Sequence, residues 1–237
     1  TRWSGSNSTS SVGLEALLRW HHQGREISPL EFIPCLEESG EILAVGDWVL
    51  QQACNQVRAW QLGGQPHLRC SVNLSSRQLQ QSDFAARVAD ILQHSGLPPS
   101  SLVLEITESQ LMADSTQNLA CLRELASLGI QLALDDFGTG YSSLGYLKRF
   151  PLHIIKVYKS FITSAPQDSE SLAISRAIIG LGHSLGPCGY LWNEVHSHRR
   201  FYVREEYLSW KAKGNPLPPL VTTSTDHNIP QEFAGVL

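Results

Sequence analysis

The chain has 237 residues, 42% of them apolar and 17% charged, and a formal net charge of −4. That length suits one large domain or two small ones, and the apolar share is enough to fill a core, which excludes a disordered chain. The slight acidity excludes a broad basic face for DNA or RNA, and no apolar run approaches the roughly 18–20 residues that span a membrane.

Residues 1–11 carry neither the charged block nor the apolar block of a signal peptide. They form an atypical N-terminal segment, and the chain is expected in the cytoplasm. Val12–Arg19 is a short apolar-rich run. Ser28-Pro29-Leu30-Glu31 reads as a capping box with proline at the first helical position, opening a helix that ends near Gly40. Val45, Val49, Ala53, Val57 and Trp60 recur at near-helical spacing and predict a second helix. In His67–Ser75, Leu68, Cys70, Val72 and Leu74 alternate with Arg69, Ser71, Asn73 and Ser75, as in a strand.

Ser82 is placed to cap a helix carrying Phe84, Val88, Ile91 and Leu92, with Gly96 as its stop. Leu102–Thr107 reads as a strand, Ser115–Leu128 as a helix, and Ile130–Asp136 and Ile154–Tyr158 as strands. A further helix is expected from Ser169 to Leu185. Strands alternating with helices imply parallel pairing, because parallel neighbours need a crossover. The residues leave two architectures open, a (β/α) barrel and an open doubly wound sheet. Both place active residues at the carboxyl ends of strands.

The alternation stops at Gly186. Residues 187–237 hold five of the twelve prolines and are expected to be irregular, apart from one short helix over Arg204–Lys213. His196-x-His198 has no third ligand at a recognisable spacing and reads as a chance pair. The five cysteines, Cys35, Cys54, Cys70, Cys121 and Cys188, show no C-x-x-C and read as reduced thiols.

Polar residues gather where an apolar barrel core has no use for them: Glu15, Asn73, Glu105, Glu108, Asp135, Asp136 and Lys156. A charge within an apolar strand costs several kcal/mol unless it is paired or bound to a metal. Carboxylates together with an amide oxygen make the hard set that suits Mg²⁺ or Mn²⁺. The most specific segment is Asp135-Asp136-Phe137-Gly138-Thr139-Gly140-Tyr141-Ser142-Ser143-Leu144. A capped βα loop accounts for one aspartate, not for two and a glycine pair.

Taken together, Glu15-Ala16-Leu17 with Arg19, Ile27-Ser28-Pro29 to Phe32-Ile33-Pro34, Val72-Asn73-Leu74-Ser75, Glu105-Ile106-Thr107-Glu108, the Asp135–Leu144 loop and Ile155-Lys156 resemble the EAL domain in order and spacing. The resemblance covers residues 12–186. It implies a modified (β/α)8 barrel of the TIM type that hydrolyses cyclic di-GMP to linear pGpG. It further implies that Glu15, Asn73, Glu105 and Asp135 hold a first Mg²⁺ or Mn²⁺. Asp135 would bridge to a second ion bound by Asp136. By the same resemblance Lys156 contacts the attacking water, and Glu15 and Asp135 share the catalytic work. Arg19 and Leu17 meet the ligand, and Glu108 anchors the Asp135–Leu144 loop, through whose region two copies pair.

Three departures accompany the match. The opening Tyr-Gln-Pro-Ile type strand is replaced by Thr1–Ser6. Tyr158 stands where the family has an aspartate, and the Glu-Gly-Val-Glu and Gln-Gly-Tyr segments are missing after Gly186. The barrel is therefore expected to be incomplete at strands 1, 7 and 8, and the second metal to lack ligands. Three readings follow: an impaired phosphodiesterase, an inactive module that binds cyclic di-GMP or a partner protein, and a defective product of a frameshift, deletion or gene fusion.

Overall fold

A computed structural model of the protein describes residues 13–113, 116–137, 147–157, 190–194 and 200–203. The first strand, β1, is Gly13–Ala16, shorter than the apolar run of the sequence. The chain then forms a small antiparallel hairpin that the apolar pattern did not announce, β2 (Trp20–His22) and β3 (Arg25–Ile27). Its turn residues Gln23 and Gly24 have φ of 50° and 75°. Two consecutive positive φ values match the twist of a hairpin, and a following glycine adopts them without steric cost.

Helix α1 (Pro29–Ser39) starts where the sequence places it, with the Ser28 side chain accepting from the Leu30 backbone N–H and Gly40 left-handed at its end. Helix α2 (Ile42–Leu62) buries Leu50, Ala53, Cys54 and Val57. After β4 (Arg69–Asn73) comes a single turn, α3 (Ser76–Leu79), closed by a Ser75–Gln78 capping box. Helix α4 (Phe84–Ser95) begins after Asp83, one residue beyond the expected Ser82 cap, and no side chain caps it. β5 (Leu102–Thr107), α5 (Glu108–Met112), α6 (Thr116–Ser127), β6 (Gln131–Phe137) and β7 (Ile154–Val157) complete the repeating part.

Strands β1, β4, β5, β6 and β7 pair in parallel, in that order. The strand residues divide by parity. Ala16, Cys70, Val72, Leu102, Leu104, Ile106, Leu132, Leu134 and Ile155 share the main core with residues of α2, α4 and α6. Val103, Ala133 and Ile154 form a separate small cluster on the other face. That second face is the inside of the curved sheet. Two residues further along each strand, the inner positions of β5, β6 and β7 become Glu105, Asp135 and Lys156. The apolar plug thus gives way to charge at the carboxyl ends.

The tail departs from expectation. Residues 187–237 are not irregular throughout: β8 (Tyr190–Glu194) pairs in parallel with β7, and β9 (Arg200–Val203) pairs antiparallel with β8. Tyr190-Leu191-Trp192 and Phe201-Tyr202-Val203 carry the aromatic and β-branched residues that favour pleated chain. The five prolines of this tail all fall outside the two strands. The sheet still falls short of a closed barrel: among the described residues β1 and β9 are its two ends, and the last pairing runs the wrong way for a (β/α) repeat. The segment Thr1–Ser6 that replaces the family's opening strand, the helix expected over Ser169–Leu185 and the helix expected over Arg204–Lys213 lie outside the described residues. Among the described residues no helix is long and apolar enough to cross a membrane.

Candidate active site

The parallel register brings the sequence-selected residues to one end of the sheet. Glu15 on β1 sits opposite Ser71 on β4, and Asn73, two residues on, sits opposite Glu105 on β5. Asn73 Nδ2 donates to Glu15 Oε1 at 2.7 Å. Lys156 on β7 donates to both Glu105 and Asp135, the latter at 3.2 Å. The mouth therefore contains an amide–carboxylate pair beside a carboxylate–ammonium–carboxylate bridge, joined by the Asn73–Glu105 register.

Burial sets the electrostatics. Glu105 is 1% exposed and Lys156 8%. Loss of hydration raises the Glu105 carboxyl above its usual range; the Lys156 ammonium opposes this, and the Asp135 carboxylate adds to it. Ser71 also hydrogen-bonds Glu105. The sequence places Ser71 on the polar face of its strand, two residues before Asn73, yet a serine there carries no signal of its own.

Asp136 follows an unusual path. Its φ is 53°, and the β6–β7 register shifts between Leu134 and Phe137. A left-handed residue at a bulge costs little for aspartate and breaks the strict alternation of a strand. This frees two adjacent carboxylates from pointing to opposite faces. Asp136 N also donates to Asp135 Oδ1 at 2.9 Å.

Leu17 and Arg19 follow β1, and Glu108 follows β5. Leu17 is 39% exposed. Arg19 pairs with Glu26 on the hairpin at 3.5 Å and donates to Leu18 O. Glu108 is buried as the first residue of α5. The loop it is expected to anchor lies, from residue 138, outside the described residues, as does Tyr158.

Among the described residues no group of three or more His, Cys, Asp or Glu is gathered closely enough to hold a metal ion. The donor chemistry nevertheless fits a hard divalent cation. Glu15, Glu105 and Asp135 can offer carboxylate oxygens and Asn73 an amide oxygen, from neighbouring strand ends. Lys156 sets one positive charge against the two carboxylates of Glu105 and Asp135.

The chain matches the EAL domain family model over residues 4–187. It is 43% identical over 175 residues to the bifunctional diguanylate cyclase/cyclic di-GMP phosphodiesterase MucR of Pseudomonas aeruginosa, covering 73% of this chain and 26% of that protein. It is 40% identical over 173 residues to the cyclic di-GMP phosphodiesterase NbdA of the same organism, covering 73% and 22%. The solved PaMucR phosphodiesterase in complex with c-di-GMP superposes with a TM-score of 0.71 at 41% identity, over 78% of this chain and 75% of that one. The chain thus spans about a quarter of the length of these curated relatives.

Proposed function

We propose, from the premise that this chain belongs to the EAL domain family, that it binds cyclic di-GMP at the strand-end mouth and hydrolyses it slowly to pGpG. The observation that carries this reading is the Glu105–Lys156–Asp135 bridge, buried at Glu105 and Lys156, beside the Asn73–Glu15 pair. Such a density of charge is costly for stability alone and is suited to a phosphate diester and an attacking water.

Glu15, Asn73, Glu105 and Asp135 would hold a first Mg²⁺ or Mn²⁺, and Asp136 with Asp135 a second. When bound, such ions acidify water and offset charge building on the phosphate. The chain's own groups orient the reactants. Lys156, locked by two carboxylates, presents its ammonium to the water oxygen. Glu15 and Asp135 provide carboxylate oxygens that can take the water's proton. Leu17 and Arg19, which follow β1, would meet the ligand's base and phosphate.

The slow rate in this proposal reflects Tyr158 and the missing Glu-Gly-Val-Glu segment. Those departures also support a second reading, a module that binds cyclic di-GMP without cutting it. Action in the cytoplasm and pairing of two copies near the Asp135–Leu144 loop belong to the same proposal. The free thiols of Cys35, Cys54, Cys70 and Cys121 support the first of these.

The test is a chromatographic assay for pGpG with Mg²⁺, Mn²⁺ or Ca²⁺, beside a calorimetric titration with cyclic di-GMP. Slow Mg²⁺- or Mn²⁺-dependent pGpG formation that calcium suppresses supports the enzyme. Binding with no pGpG supports the second reading, and absence of binding defeats both.

A further inference from the structure

The two strands that carry Asn73 and Glu105 part at the mouth, and a side chain occupies the gap between them. β4 and β5 keep their ladder one step beyond that residue pair, where Leu74 N donates to Glu105 O at 2.9 Å. In a parallel ladder a residue that donates to one carbonyl next accepts from the amide two residues further along the neighbour. The next rung would therefore run from Thr107 N to Leu74 O. The Gln110 carboxamide stands in that place. Its Oε1 accepts from Thr107 N at 3.0 Å, and its Nε2 donates to Leu74 O at 2.8 Å.

A primary amide has the same donor–acceptor pair as a peptide unit, so it can serve as a rung of greater width. Both backbone groups it satisfies would otherwise lose their partners as the chain turns into α3 and α5. Thr107 is also the register partner of Asp135 on β6. One side chain therefore ties the ends of β4 and β5 together, and through Thr107 it bears on β6. These are the strands of Asn73, Glu105 and Asp135.

We propose that Gln110 is a positioning residue that sets the separation of Asn73 from Glu105 and Asp135 by acting as the last rung between β4 and β5. This rests on the reading of the mouth as a site for a divalent ion and cyclic di-GMP. Gln110 belongs to the short helix α5 and acts through the backbone, not on the ligand.

Two variants of the full chain divide the two halves of the rung. Gln110→Ala removes both. Gln110→Glu keeps an acceptor for Thr107 N and removes the donor to Leu74 O, with almost no change in volume. Thermal melts establish that each variant folds. Amide exchange at Thr107, followed by NMR, is expected to quicken about fivefold in Gln110→Ala, the weight of one hydrogen bond, and to stay near wild type in Gln110→Glu. Calorimetric Mn²⁺ affinity is expected to fall about tenfold or more in both, as when an outer partner of a metal ligand is lost.

Unchanged Thr107 exchange in Gln110→Ala overturns the rung. Wild-type Mn²⁺ affinity in both folded variants overturns its positioning role. If the wild-type chain binds no Mn²⁺, the proposed function fails separately. The Asn73 side-chain amide resonances then decide the positioning role: a shift in Gln110→Glu supports it, and no shift overturns it.

Discussion

The ammonium of Lys156 is hydrogen-bonded to the carboxylate of Glu105, a side chain that is 1% exposed. Removing one partner from such a pair leaves a buried charge without compensation. Lys156→Met is expected to lower stability by about 3–5 kcal/mol. Urea unfolding at neutral pH measures this, and a loss below about 1 kcal/mol would show that the bridge is solvated. Added Mn²⁺ should restore part of the loss, because an ion that binds only the folded chain stabilises it.

Metal binding should be unequal. All four residues of the proposed first set, Glu15, Asn73, Glu105 and Asp135, are in the sequence, whereas the proposed second set has Asp135 and Asp136, with a tyrosine at 158 in place of the family's aspartate. A Mn²⁺ titration is expected to show one ion held more tightly than another. Asp135→Ala should abolish binding of both, and Asp136→Ala should spare the tighter one. Two equal, tight sites in the unmodified chain would show that residues outside those described complete the second set.

His153 provides a pH-dependent term at the other end of β7. Its Nδ1 accepts from Leu132 N at 3.2 Å, which requires the neutral ring, and its own backbone N–H donates to Leu132 O. Burial lowers its pKa below the ordinary 6.5. Between the folded and unfolded values the unfolded chain binds more protons, so stability falls as the pH drops through that window and is fully present above it. His153→Asn keeps an acceptor but cannot titrate. Its stability should change less than wild type between about pH 7 and 5, and curves of identical slope would refute the assignment.

Thiol reactivity should separate the cysteines. Cys35 is exposed, whereas Cys54, Cys70 and Cys121 are buried. Burial pushes the Cys54 thiol to about 12 and the Cys121 thiol to about 11, and raises Cys70 also. The thiolate is the reactive form. In a Cys188→Ser background, an aromatic disulfide reagent at mildly alkaline pH is expected to meet one fast thiol. Two or more fast thiols before unfolding would contradict the packing of α2 and α6 against the sheet.

Much of this site could be read from residue order alone. Alternation in Arg69–Asn73 and the apolar runs around Glu105 and Asp135 identify strands, and a charge at the same inner parity of each strand has no structural use in an apolar core. The order of Glu15, Asn73, Glu105, Asp135 and Lys156 along the chain becomes their order across the sheet, because each crossover moves one strand over. What the tertiary structure decided lies in contacts between residues distant in sequence. Lys156 reaches Glu105 across 51 positions and Asp135 across 21. The left-handed backbone at Asp136 depends on where two strands diverge, which no local pattern records; Thr107 and Gln110 form a local capping box, but the Gln110 bond to Leu74 O spans 36 positions and exists only in the folded sheet. The strands at Tyr190–Glu194 and Arg200–Val203 likewise form only because β7 offers an edge to pair with, and edge pairing is a property of the sheet rather than of the segment.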